Sequence, residues 1–291
     1  YTLSEYVMGR SMIDTVLGIT GLVLAGWVML VGILALQERR LIFLPTRGHP
    51  AKPADYGLRA DELRVTAGDG TELHGWWIQG SSDRVLVWYH GNAGNIVDRL
   101  DNARLFIKRL GVDIVLVDYR GYGLSQGKPD ERGLYLDGVA IYDAVVARGV
   151  RPEDIVLFGR SLGGAVAVEV ALRRPAGALV LESAFRSVPA LAREHYWFVP
   201  SAVIRTRLDT ESRIHRVQLP KLFLYSDRDE IVSLDHGLTL FALAKDPKCF
   251  HVIEGAGHND TYLVGGESYD KAWRVFLDEG VTGPATEPQA P

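Results

Sequence analysis

The chain has 291 residues, a formal net charge of −4, 47% hydrophobic residues and one cysteine, Cys249. That length holds one large α/β domain plus an appendage and buries a substantial core. No basic block offers a footprint for nucleic acid, and a lone cysteine excludes both an intramolecular disulfide and a cysteine-based metal cluster.

Residues 15–36 are uncharged and almost wholly apolar, and Gln37-Glu38-Arg39-Arg40 closes the run. About 20 such residues cross a bilayer. A cleavable signal has a shorter apolar region and a small-residue cut site. Ala35-Leu36-Gln37 is a poor one, so the run reads as a retained single-pass anchor within an N-terminal segment over residues 1–40. A buried core helix of this length would show a polar face. Arg10 precedes the span, whereas Arg39, Arg40, Arg47 and Lys52 follow it. That bias places the remainder of the chain on the cytoplasmic side.

Residues 41–57 read as a linker stiffened by Pro45, Pro50 and Pro53. Its apolar start, residues 41–45, suits either the membrane interface or the domain surface. The domain is expected over residues 58–280. Residues 62–67 and 71–78 alternate in polarity around Gly68-Asp69-Gly70, a hairpin signal. Further strands are expected at residues 84–89, 114–118, 155–158, 179–182, 221–225 and 250–254. Helices are expected at residues 96–110, 131–146, 165–172, 234–244 and 267–277. A hairpin followed by alternating strands and helices implies a mostly parallel central sheet covered on both faces. Residues 281–291, rich in Pro, Thr and Ala, read as a disordered tail.

The chemistry centres on Ser161. The apolar run Ile155 to Phe158 leads into Gly159-Arg160-Ser161-Leu162-Gly163, and a helix follows at once. A strand turning directly into a helix crowds the turn, and Gly159 and Gly163 relieve that crowding while Ser161 takes a strained geometry with its hydroxyl exposed. This is the Gly-x-Ser-x-Gly nucleophile elbow in its strand–turn–helix setting.

A serine hydroxyl needs a base to take its proton and a carboxylate to hold that base. After an elbow these follow in the order acid, then histidine. His258, in Gly257-His258-Asn259-Asp260 just past a strand, stands on a loop at the carboxyl edge of the sheet, where ligands bind in such folds. His195, His215, His236 and His251 lack that setting. The acid belongs to Ser226-Asp227-Arg228-Asp229-Glu230, and local reasoning does not separate Asp227 from Asp229. Two backbone N–H groups are needed for the oxyanion. Leu162 supplies one, and the loop His90-Gly91-Asn92-Ala93-Gly94-Asn95 the other, assigned to Asn92, with Gly91 letting the backbone come close. His90 is expected to brace that loop.

Four stretches together, His90 to Asn95, Asp118-Tyr-Arg-Gly-Tyr-Gly-Leu-Ser125, Gly159 to Gly164 and Gly257 to Asp260, resemble the α/β-hydrolase superfamily, and in particular its membrane-anchored depalmitoylase-like and lipase-like branch. The resemblance covers residues 58–277. It implies the α/β-hydrolase fold, a short cap at residues 184–219 and no cofactor. The acid motif in that family runs Gly-x-x-Asp-x-x-Val-Pro; aligned with residues 226–233 it places the acid at Asp229, with Ser226 and Ser233 departing from the pattern. Asp118 to Ser125 is by the same resemblance a structural turn beside the pocket.

The cap contains Tyr196-Trp197-Phe198-Val199-Pro200, suited either to core packing or to contact with lipid. The expectation is a membrane-anchored serine hydrolase for an ester or thioester with an apolar acyl chain, borne by a lipid or a lipidated protein. A serine peptidase on the same fold and a non-catalytic anchored binding module are the alternatives. Removing residues 1–45 is expected to spare turnover of a soluble short-chain ester.

Overall fold

The computed structural model describes residues 3–279, so the tail expected at residues 281–291 lies outside the described residues. Eight strands form one sheet: β1 Ala60–Thr66, β2 Glu72–Ile78, β3 Val85–Tyr89, β4 Asp113–Val117, β5 Ile155–Arg160, β6 Ala178–Glu182, β7 Lys221–Ser226 and β8 Lys248–Ile253. Their spatial order is β1-β2-β4-β3-β5-β6-β7-β8. β2 runs antiparallel to both neighbours; the pairs from β4 across to β8 are parallel.

Burial on both faces explains why the central strands read as unbroken apolar runs. Side chains alternate along β3, and Val85, Val87 and Tyr89 enter one core while Leu86 and Trp88 enter the other. The first core is covered by α3 Glu131–Ala147, α4 Leu162–Arg173 and α6 Leu234–Leu243; the second by α2 Leu100–Leu110 and α7 Gly266–Glu279. α4 begins at Leu162, three residues before the expected start. Gly163 and Gly164 lower helix propensity there, but the elbow forces the chain straight into its first turn.

The cap contains α5 Val188–His195, which the sequence reading left without structure. Ser187 caps it, its hydroxyl accepting from the Ala190 N–H at 3.2 Å.

α1 spans Leu3–Ile42, longer at both ends than the expected anchor. Its stretch Met12–Ile42 is long and apolar enough to cross a membrane, and little of it is buried by the protein. Residues 41–57 do not hang free. Phe43 is buried in the first core, and Leu44–Pro45 pairs in parallel with Ala93–Gly94. Arg47 bridges to Gly123.

Candidate active site

β5 delivers Ser161 to the carboxyl edge of the sheet at φ 52° and ψ −120°, a left-handed conformation that a serine adopts only under constraint. Its N–H donates to the Glu182 carbonyl at 2.9 Å, and its carbonyl accepts from the Gly164 N–H at 2.9 Å. The flanking glycines are required by space. A Cβ on Gly163 would stand 1.9 Å from the Tyr89 carbonyl oxygen, and one on Gly159 would stand 2.6 Å from the Gly163 oxygen.

The loops after β7 and β8 bring Asp229 and His258 together. His258 Nδ1 lies 2.8 Å from Asp229 Oδ2 and 3.0 Å from Oδ1, and both side chains are buried. Asp229 Oδ1 also accepts the N–H groups of Ile231 at 2.9 Å and Val232 at 2.8 Å. Burial pushes the Asp229 carboxyl upward, but the His258 hydrogen bond and charge and these two N–H donors outweigh it, so its pKa lies below the ordinary value. Asp227 faces elsewhere: its Oδ1 accepts from the Gly255 N–H at 2.6 Å. The structure thus separates two acids that local sequence left equivalent. Glu230 holds the same loop by accepting the His258 N–H at 3.0 Å.

A buried network that sequence reasoning missed supports this arrangement. Arg160, next to the serine, donates through Nε to Glu182 Oε1 at 2.9 Å, and through its terminal nitrogen to the His258 carbonyl. Glu182 also accepts the hydroxyls of Thr261 at 2.7 Å and Tyr269 at 2.6 Å. One ion pair therefore ties the elbow to the histidine loop. Removing one partner of a buried pair leaves the other charge uncompensated, at about 3–5 kcal/mol. The only signal in sequence was two charges at the ends of apolar strands.

The loop after β3 passes beside the serine. A Cβ at Gly91 would lie 3.5 Å from Ser161 Cβ, ordinary contact, so space at this point does not demand a glycine. Asn92 Oδ1 accepts from the Leu44 N–H at 3.0 Å and the Tyr122 hydroxyl at 3.3 Å. His90 is fully buried, with Nδ1 2.8 Å from the Gly91 carbonyl, which is a brace. Burial lowers its pKa from 6.5 to about 4. Between those pH values the unfolded chain holds a proton that the folded chain rejects, so stability rises with pH across the window and is lost on acidification. The full difference amounts to about 3 kcal/mol. We expect the unfolding free energy to fall between pH 7 and pH 5, and the fall to be smaller in His90→Gln; equal slopes would remove His90 as the cause.

Ser161, Leu162, Asn92 and His258 line one cavity of about 960 Å³, and residues of α1 and the cap contribute to its lining. Trp197 is 81% and Tyr196 53% exposed, so neither is core packing, while Phe198 is half-buried. The Phe198 carbonyl accepts from Trp27 Nε1 of α1 at 3.0 Å.

His49, His74 and Asp118 bring one potential metal-ligating atom each within 4.8 Å of the others. His49 Nε2 and Asp118 Oδ2 are 2.5 Å apart, already hydrogen-bonded. Ligands about 2.0–2.2 Å from a zinc ion in tetrahedral geometry stand roughly 3.4 Å apart, so seating an ion requires this contact to open. As it stands the cluster fastens residue 49 to the turn at Asp118, whose Oδ1 accepts the Ile96 N–H at 3.1 Å.

The family model described as "Serine aminopeptidase, S33" matches residues 80–208. The Arabidopsis thaliana α/β-hydrolase domain-containing protein WAV2 is 33% identical over 290 residues, which cover 90% of this chain and 93% of that protein. The chain belongs to the α/β-hydrolase superfamily. Protein bem46 of Schizosaccharomyces pombe is 30% identical over 246 residues, covering 80% of this chain and 82% of bem46. In fold, this α/β hydrolase is similar to a Pyrococcus furiosus esterase, with a TM-score of 0.66 at 20% identity over 82% of this chain and 98% of the esterase.

Proposed function

We infer that this hydrolase is a membrane-anchored serine hydrolase that cleaves an ester or thioester with an apolar acyl chain. The observation that carries the reading is Ser161, strained into an elbow, opening on the same cavity as a His258 that Asp229 holds by Nδ1. Ser161 Oγ attacks the acyl carbonyl as His258 Nε2 takes its proton. The oxyanion is held by the N–H groups of Asn92 and Leu162. His258 then passes the proton to the departing oxygen or sulfur, leaving an acyl-serine. Water, deprotonated by the same imidazole, hydrolyses that ester and restores Ser161.

The anchor is supported by α1, where Leu22 is 76% and Leu36 83% exposed; an apolar surface of this extent asks for a bilayer. We place the domain on the cytoplasmic face from the positive charges that follow the span. The substrate is accordingly a lipid or a lipidated protein.

The matched family description favours a second reading, an aminopeptidase. Such an enzyme needs a free carboxylate for the substrate's cationic amine. The apolar lining that α1 and the cap give the cavity, Leu34, Leu41, Leu191 and Val199 among it, favours the ester. Assay of the detergent-solubilised full chain on 4-nitrophenyl esters and acyl thioesters, beside amino-acid 4-nitroanilides, decides between them. We expect turnover of the first two classes; turnover of the anilides alone would establish the peptidase.

A further inference from the structure

Part of the cavity wall is the anchor itself. The α1 residues that line it are Leu34, Ala35, Glu38, Leu41 and Ile42, spaced i, i+1, i+4, i+7 and i+8, one face of a helix. The same stripe continues up the helix through Val31, buried at 7% exposure, to Trp27. Between these contacts Leu36, at 83% exposure, points away.

Three polar contacts hold this stripe against the domain. Trp27 donates to the Phe198 carbonyl of the cap. Glu38 accepts the N–H groups of Thr206 at 2.6 Å and Arg205 at 3.1 Å. Arg39 donates to the Pro129 carbonyl at 2.8 Å. The part of the candidate span before the Trp27 contact, residues 12–26, extends about 22 Å as a helix, most of the ~30 Å hydrocarbon thickness of a bilayer. The helix therefore reaches the cavity below its exposed apolar portion, where Trp27 is bonded to the cap at Phe198.

We propose that α1 is a specificity-determining wall of the acyl site as well as an anchor: the substrate's acyl chain lies between Leu34, Ala35 and Leu41 of α1 and Leu191 and Ala192 of α5, and this face sets the preferred chain length. The proposal rests on the serine-hydrolase reading above. A cavity of about 960 Å³ is at the upper end of ligand pockets, ~300–1,000 Å³, and exceeds what an acetyl or butyryl group occupies. Its α1 and α5 lining is apolar apart from Glu38, which is engaged with the cap, and His195, whose Nε2 lies 2.8 Å from the Ile231 carbonyl. Each methylene kept from water gains about fourfold, so a long chain draws most of its advantage from this wall. The expectation that removing residues 1–45 spares short-chain turnover is revised on the same ground. That deletion takes away Phe43 from the core and Leu44 from Asn92, beside the serine, so point substitutions make the cleaner experiment.

The experiment uses the full chain in detergent, a series of 4-nitrophenyl esters from four to sixteen carbons, and the variants Ala35→Trp and Leu36→Trp. Ala35→Trp fills the cavity and should lower kcat/KM for the twelve- to sixteen-carbon esters at least about tenfold, with the four-carbon ester within twofold of wild type. Leu36→Trp, on the outward face, should leave the whole profile unchanged. Retained four-carbon turnover also reports that each variant is folded. As an independent measurement, a long-chain alkyl fluorophosphonate with a terminal diazirine, once bound to Ser161, should crosslink on irradiation to the peptide carrying residues 34–42. Identical profiles for the two variants, or crosslinks confined to other elements, overturn the proposal and leave the serine hydrolase standing. A folded wild-type chain whose Ser161 does not react with the fluorophosphonate overturns both.

Discussion

Ser161→Ala should abolish turnover, with a loss in kcat on the order of 10⁶-fold, as when the nucleophile of a comparable triad is removed. The fold should persist. The substitution removes only Oγ, and the bonds that hold this position are backbone ones, from its N–H to the Glu182 carbonyl and to its carbonyl from Gly164. Ala also needs no more room than Ser at φ 52°. Turnover of 4-nitrophenyl butyrate measured beside the unfolding midpoint separates the two effects. An inactive variant with an unchanged midpoint is the expected pair of results, and undiminished hydrolysis would remove the mechanism.

Asp229→Asn should cost about four orders of magnitude in kcat, the scale on which loss of the tautomer-holding carboxylate acts in a serine protease. An asparagine at 229 still accepts an N–H from Ile231 or Val232 but offers His258 Nδ1 no anionic partner, so the imidazolium formed during attack goes unstabilised. Asp227→Asn removes a charge that rests on the Gly255 N–H at an exposed turn, and should cost less than tenfold. The comparison is internal, because the two residues share one loop and any general damage to it appears in both. A crippled Asp227→Asn beside a mild Asp229→Asn would exchange their roles.

Most of the sheet was legible because its signals are local. The strands that became β3, β5 and β7 are continuous apolar runs between turn residues, and the elbow is a five-residue pattern whose glycines answer contacts of 1.9 and 2.6 Å. From local residues the acid was legible only as a pair, and the family resemblance alone placed it at Asp229; Asp227 and Asp229 differ by which loop N–H or imidazole each meets, and that depends on how β7 and β8 align in space. The Arg160–Glu182 pair was missed because nothing near either residue marks a partner 22 positions away. The pairing of Leu44–Pro45 with Ala93–Gly94 is two residues long, too short for any periodicity. The contact face of α1 was hidden for the opposite reason: in a helix apolar on every side, the stripe through Val31, Leu34 and Ala35 has no polar contrast to outline it.

The central claim, that Ser161 is a nucleophile activated by His258, is tested most directly by mapping a fluorophosphonate adduct on the intact, detergent-solubilised chain by peptide mass spectrometry. The account predicts one adduct, on the peptide containing Ser161, formed rapidly in the wild type and suppressed in a folded His258→Ala variant. An adduct on another residue, or labelling of Ser161 at the same rate without His258, would contradict it.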